Sequence, residues 1–188
     1  MPSACASPRI VSLPPSPWIS CAVPAEGVDA LLNVERLRFD DYGVAFDVTP
    51  TGNVLDPVTK GEGGNGGKAY RLYQAALARE PDLPGLGYWI TQVDNGEPLW
   101  NLAYGFITSA EFKDKYGQNP TNEEYIQALY QNVLHRAAEG AGHDYWLAAL
   151  DSGATTREQM LVDFSESAEN KANVIEVIGN GFDYTPWA

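Results

Sequence analysis

Basic residues, histidine and cysteine are all scarce in this chain, and each shortage removes a class of function. Only 12 Lys and Arg stand against 25 Asp and Glu in 188 residues, a formal net charge of -13. A surface of that sign is repelled by phosphate backbones and anionic leaflets, so neither nucleic acid nor a membrane surface is an expected partner. The two histidines, His135 and His143, stand eight residues apart with Asp144 beside the second. That spacing fits no zinc signature, and surface histidines are the expectation. The two cysteines, Cys5 and Cys21, lie near the N-terminus away from any CxxC or histidine partner, which leaves zinc and redox roles without support. Paired, they would close a loop of about 16 residues worth roughly 3 kcal/mol in the chain-entropy model; unpaired, they are two thiols in a loose tail. No apolar run approaches the roughly 20 residues needed to span a bilayer, so membrane insertion is not expected. The first 23 residues are cut by Pro14, Pro15 and Pro17 and offer a single early Arg9. They contain no clean apolar h-region and do not read as a cleavable signal peptide.

What the sequence does contain is a stretch of about 48 residues that occurs twice. At an offset of 57, Leu72-Tyr73-Gln74 falls over Leu129-Tyr130-Gln131, Leu77 over Leu134, Arg79 over Arg136, Gly85 over Gly142, Tyr88-Trp89 over Tyr145-Trp146 and Gly96 over Gly153. Beyond Gly153 the offset is 58, pairing Phe106 with Phe164 and Ser109-Ala110-Glu111 with Ser167-Ala168-Glu169. The second copy therefore carries one extra loop residue.

Taken in order, the chain reads as a Pro/Ser-rich disordered tail over residues 1–26, a β-hairpin over 27–48 and a Gly/Pro-rich linker over 49–67. Two helical repeats follow over residues 68–118 and 119–178, and then an aromatic C-terminal tail over 179–188. The hairpin rests on the alternation of residues 34–39 and 44–48 around the turn chemistry of Asp40-Asp41-Tyr42-Gly43. Alone it would be marginal, so it must pack on something. Helical spacing begins at Lys68 with Tyr70, Tyr73, Ala76 and Leu77, and Pro81 ends that helix. Asp82 caps the next, which carries Leu86, Trp89, Ile90 and Val93 and stops at Asn95-Gly96. A third runs from about Pro98 on Leu99, Leu102, Ala103 and Phe106, and Thr108 with Glu111 reads as a capping box for a fourth ending at Gly117. In the second copy the capping boxes are Thr121 with Glu124 and Thr155 with Glu158, and residues 171–178 continue helical. The fold class is mainly α, with two tandem helical units whose apolar stripes face one another. Trp89 and Trp146 are expected to fill the cores, with Tyr88 and Tyr145 nearer the edge.

The patterns LYQxxLxR, PDxxGLxYW, GFxxSAEF, LYQNVLxR and FSESAEN resemble the bacterial module known as domain of unknown function 4214, often a tandem pair. That family is similar to the helical phycobilisome-linker domain, and the resemblance implies an all-α repeat from Ala69 to about Ile178. Residues 27–39 resemble the closing strands after calcium-binding glycine-rich repeats of secreted hemolysin-type proteins, a common neighbour of the module. The second copy departs from the pattern, with Ala137-Ala138-Glu139-Gly140 where the first has Glu80-Pro81-Asp82-Leu83.

Candidate chemistry is thin. Gly63-Gly64-Asn65-Gly66-Gly67-Lys68 resembles half a calcium nonapeptide but places Lys68 where the ligand Asp belongs, and it misses the P-loop pattern at Glu62 and Ala69. It reads as linker. Ser109 and Ser167 have no matched histidine and no GxSxG elbow. No catalytic residue is assigned, and no cofactor or metal; calcium would belong to a longer parent protein. Trp100, Tyr88, Tyr145 and Trp187 are the candidate contacts for a ligand or partner. The expected role is a non-catalytic structural or interaction module of a secreted or cell-surface bacterial protein, exported with its N-terminus uncleaved. Its partner would be a protein or a surface polysaccharide, and a glycan-binding module is the second reading.

Overall fold

The computed structural model describes residues 36–39, 42–47 and 64–187. The tail with Cys5 and Cys21, residues 27–35, 40, 41 and 48 of the expected hairpin, and residues 49–63 of the expected linker lie outside the described residues. Within them the chain is mainly helical with a small antiparallel sheet, as expected. The first copy supplies α1 (Asn65–Leu77), α2 (Leu83–Asp94), α3 (Leu99–Thr108) and α4 (Ala110–Tyr116). The second supplies α5 (Asn122–Val133), α6 (Gly140–Asp151), α7 (Arg157–Ser165) and α8 (Ala168–Ile178).

Local signals set most of the helix ends. Asp82 accepts from the Gly85 N–H at 2.8 Å and caps α2, while Thr121 and Glu124 form the complete reciprocal box before α5. Helix α2 ends at Asp94 with Asn95 as its C-cap, followed by Gly96 at φ +88°. Two caps are displaced by one residue from the expected ones. Ser109, not Thr108, accepts from the Phe112 N–H, and Thr156, not Thr155, accepts from the Gln159 N–H. Thr108 instead turns its hydroxyl back onto the Tyr104 carbonyl at 2.8 Å. Neighbouring Ser and Thr carry the same capping chemistry, and only the backbone geometry chooses between them.

The hairpin does find its support. Strands β1 (Arg36–Arg38) and β2 (Gly43–Ala45) pair antiparallel, and β2 pairs on its other side with β3 (Phe182–Tyr184). The C-terminal aromatic stretch is thus the third strand of the sheet, in the order β1-β2-β3. Thr185 continues the contact, donating its N–H to the Leu83 carbonyl at 3.0 Å. Gly87 permits this approach, since a Cβ there would lie 1.7 Å from the Thr185 oxygen.

Helix α1 starts at Asn65, three residues before the expected Lys68, so the last part of the glycine-rich run is helix rather than linker. Its glycines seat Asp47, two residues past the end of β2. Asp47 is buried, accepts from the Gly66 N–H at 2.7 Å and offers its carbonyl to the Gly67 N–H at 3.0 Å. A carboxylate against the first N–H groups of a helix satisfies donors that have no partner within the helix. Arg36 closes the group by pairing with both Asp47 and Asp94.

One continuous core serves both copies. The two units meet most fully at one helix: α1 packs on α2, α3 and α4 of its own copy and also on α5, α7 and α8 of the other. Residues 69–77 are accordingly all buried except Gln74. Among them is Arg71, only 1% exposed, which makes a two-pronged ion pair with Glu166 on the far copy at 2.8 Å for each contact. Lys171 reaches the same carboxylate at 3.1 Å. Burial alone would raise the Glu166 carboxyl, but Arg71 and Lys171 outweigh it and hold it below its ordinary value.

Removing one partner of a buried pair leaves a desolvated charge behind, at a cost of about 3–5 kcal/mol. Urea unfolding of Arg71→Ala is expected to show a loss of that size. A depressed carboxyl stabilises the fold above its unfolded pKa, and that stability is lost as pH falls through the folded value. Thermal stability is therefore expected to drop below about pH 4.5, and to drop less in Glu166→Gln.

Candidate functional site

The residues that repeat in sequence meet in space as two equivalent clusters. In the first copy the Arg79 guanidinium lies over the Tyr73 ring at 5.0 Å, and Tyr73 meets Phe106 edge-on at 5.3 Å. Phe106 in turn packs at a tilt against Trp89, with ring centroids 4.5 Å apart. In the second, Arg136 lies over Tyr130 at 4.8 Å, Tyr130 meets Phe164 at 5.0 Å and Phe164 meets Trp146 at 5.5 Å. Each arginine also forks onto the glutamate of its Ser-Ala-Glu triplet, Arg79 on Glu111 and Arg136 on Glu169. Both glutamates are held below their ordinary range by the arginine facing them. The triplet serine caps the following helix, Ser109 toward Phe112 and Ser167 toward Asn170. This accounts for the two serines as helix caps.

The turn that aims each arginine is repeated as well. Ala78 and His135, equivalent positions just before Arg79 and Arg136, are the described non-glycine residues with positive φ, at 46° and 55°. A second repeated contact ties the start of one helix to the end of the next: Asn65 to Asp94 at 3.0 Å and Asn122 to Asp151 at 2.7 Å. Trp89 and Trp146 are only half-buried. The deep anchors are Leu86 and Ile90 in α2, whereas α6 has no buried residue.

The two copies also differ. In the first, Tyr73 donates to Asp82 and accepts from Arg79 at 2.7 Å. Burial, and then the bond to Asp82, push the Tyr73 hydroxyl up to about 12. Glu139, at the place of Asp82, precedes α6 without a side-chain cap. Helix α6 is held in part by His143, whose Nε2 is 2.8 Å from Glu123 on α5 and whose Nδ1 is 3.2 Å from Asp144. The two carboxylates, Asp144 foremost, raise the His143 pKa. His135 is exposed and takes no part.

The four aromatic candidates are not gathered into one site. Tyr88 and Trp187 meet edge-on at 5.1 Å where the chain leaves β3. Tyr145 stands 64% exposed on α6 beside Trp146. Trp100, 54% exposed, lines a cleft of about 440 Å3 with Tyr104 from α3 and Thr155, Thr156, Glu158 and Gln159 around the start of α7. Tyr104, 55% exposed, was not anticipated. The signal available for it was its place four residues after Trp100, on the same helical face.

Two measurements follow from this geometry. A left-handed alanine or histidine costs about 1–2 kcal/mol that glycine does not, so Ala78→Gly and His135→Gly should each raise the urea midpoint, with a gain in unfolding free energy of up to about 1 kcal/mol. A histidine with a raised pKa stabilises the fold below its unfolded value of about 6.5, and the effect is lost as pH rises through the folded value. Amide exchange in α6, corrected for intrinsic rates, should therefore quicken as pH rises above about 6.5. His143→Gln should remove that dependence.

A family model described as a domain of unknown function (DUF4214) matches the chain twice, over residues 69–113 and 103–174. No curated protein and no solved structure matches it. The two matches together run over more than half of the 188 residues and take in both arginine–tyrosine clusters with their Ser-Ala-Glu triplets. The chain therefore belongs to the DUF4214 family, as a tandem pair of its domains.

Proposed function

We propose that this chain is a non-catalytic interaction module of a secreted or cell-surface bacterial protein, acting without a resident cofactor. The observation that carries the reading is where the repeated polar residues are spent. Arg79, Glu111 and Ser109, with their equivalents Arg136, Glu169 and Ser167, bond to one another, to rings and to helix ends. What recurs is a way of holding helices together, and what is left for a partner is the surface.

Charge and neighbourhood favour export. The surplus of 13 negative charges suits a chain that stays soluble and unattached to anionic surfaces. The resemblance of residues 27–39 to the end of hemolysin-type repeats suggests a longer parent protein that binds calcium. Calcium is not needed at Asp47, because its oxygens are taken by Arg36 and the Gly66 N–H. No described helix is long and apolar enough to cross a membrane. A glycan-binding role is the second reading, favoured by the exposed Trp100 beside hydroxyl and carboxylate groups.

Sedimentation of the purified chain with cell-envelope fractions of the producing cell tests the main reading. Saturable co-sedimentation, in calcium and in excess chelator alike, is expected. A chain found only in the cytosol that never sediments with envelope would overturn it.

A further inference from the structure

We propose that the cleft between α3 and the start of α7 is a binding site for a neutral saccharide, with Trp100 as the surface on which a sugar ring is laid. The inference rests on the interaction-module reading and names the ligand class that one part of its surface would take.

Repeat register gives the first argument. Helices α3 and α7 are equivalent members of the two copies and pack against each other, so the cleft lies on the seam between copies. Trp100 corresponds to Glu158 and Tyr104 to Val162 at the offset of 58. The fold is thus built in the second copy with no ring at either position. In the first copy the two rings stand more than half exposed and contribute little to the core. Large rings left in water at positions the architecture does not require mark a contact surface.

The lining chemistry gives the second. One side of the cleft offers an indole and a phenol, whose faces match the C–H face of a pyranose. The other offers hydroxyls, an amide and a carboxylate. The Thr156 oxygen accepts from the Gln159 N–H, which leaves its hydroxyl proton to donate. The Gln159 side-chain NH2 donates to Asp163, which leaves its carbonyl oxygen to accept. Sugar hydroxyls both donate and accept, so they pair with such a mixed rim. The volume of about 440 Å3 falls in the range of small-ligand sites, about 300–1,000 Å3.

Charge narrows the class. The lining holds Glu158 and neither lysine nor arginine, in a chain of net charge -13. Uronates, sialic acids and phosphates would be repelled. A quaternary ammonium wants rings on several sides of it. Here both rings come from one face of one helix, four residues apart, and form a strip rather than an enclosure.

Isothermal titration of the whole chain with soluble glucan, mannan, galactan and chitin oligosaccharides tests the site, with tetramethylammonium and a polyuronate as comparison probes. At least one neutral oligosaccharide is expected to bind. Trp100→Ala should weaken that binding about tenfold or more, Trp100→Phe should restore part of it and Trp187→Ala should leave it unchanged. Circular dichroism of Trp100→Ala should match the parent, because the ring is exposed. Binding untouched by Trp100→Ala, binding of tetramethylammonium or polyuronate in preference, or no saccharide binding at all would each overturn the assignment. If envelope sedimentation persists without saccharide binding, this inference falls and the interaction-module reading stands; if sedimentation is also absent, both fall.

Discussion

Helix α1 is enclosed by six other helices, and the rest of the structure is arranged around that enclosure. Ala69, Ala75 and Ala76 have no exposed surface at all, and their small side chains let the surrounding helices come close. Arg71 lies on the part of α1 that the other helices cover, 1% exposed, so its counter-charge has to come from inside. Arg71 finds it in Glu166 of the second copy. The equivalent helix α5 carries Ala128 at that position, and its Gln127 and Gln131 are exposed. The two copies are therefore complementary rather than interchangeable, and a single copy would leave the apolar surface of α1 uncovered and Arg71 without its pair to Glu166.

Around that shared centre each copy keeps its own fastening. An exposed ion pair is worth about 0–1 kcal/mol, a cation over a ring about 0.5–1 at the surface, and an aromatic pair about 0.5–1.5. No one of these contacts would hold a helix. In combination they tie the end of the first helix of a copy to the start of its fourth through Arg79 and Glu111, or Arg136 and Glu169. The left-handed residue before each arginine is a local cost offset by that tie.

Departures from the repeat are as informative as the repeat. Asp144 stands where Gly87 allows the Thr185 backbone to touch α2, so no strand could lie on α6 in the same way. The sheet covers one copy only. The arginine near the repeated Asn–Asp contact comes from β1 in the first copy, as Arg36 to Asp94, and from α7 in the second, as Arg157 to Asn122 at 2.9 Å. At Trp100 and Glu158 the divergence falls on the seam between copies and leaves a cleft with one aromatic wall and one polar wall.

Much of this was legible from local patterns: the repeat and its register, the helical segments, the caps at Asp82 and Thr121, the stop at Asn95-Gly96 and the hairpin. Each depends on residues a few positions apart, whose preferences act before the chain folds. Tertiary structure alone decided the rest. Arg79 and Glu111 are 32 residues apart and Arg71 and Glu166 are 95 apart, and no spacing rule joins them. Phe182-Asp183-Tyr184 is too short to announce a strand, and it becomes one because β2 presents an open edge beside α2. Trp89 and Trp146 looked like core anchors by residue type, yet the core filled with Leu, Ile and Tyr from the central helices and left both rings half-covered. Tyr104 entered the cleft only because α3 and α7 pack together. Residue type and periodicity determine which segments become helices and which faces they bury; how those faces are shared between two similar copies is settled by which side chains reach one another once the chain is compact.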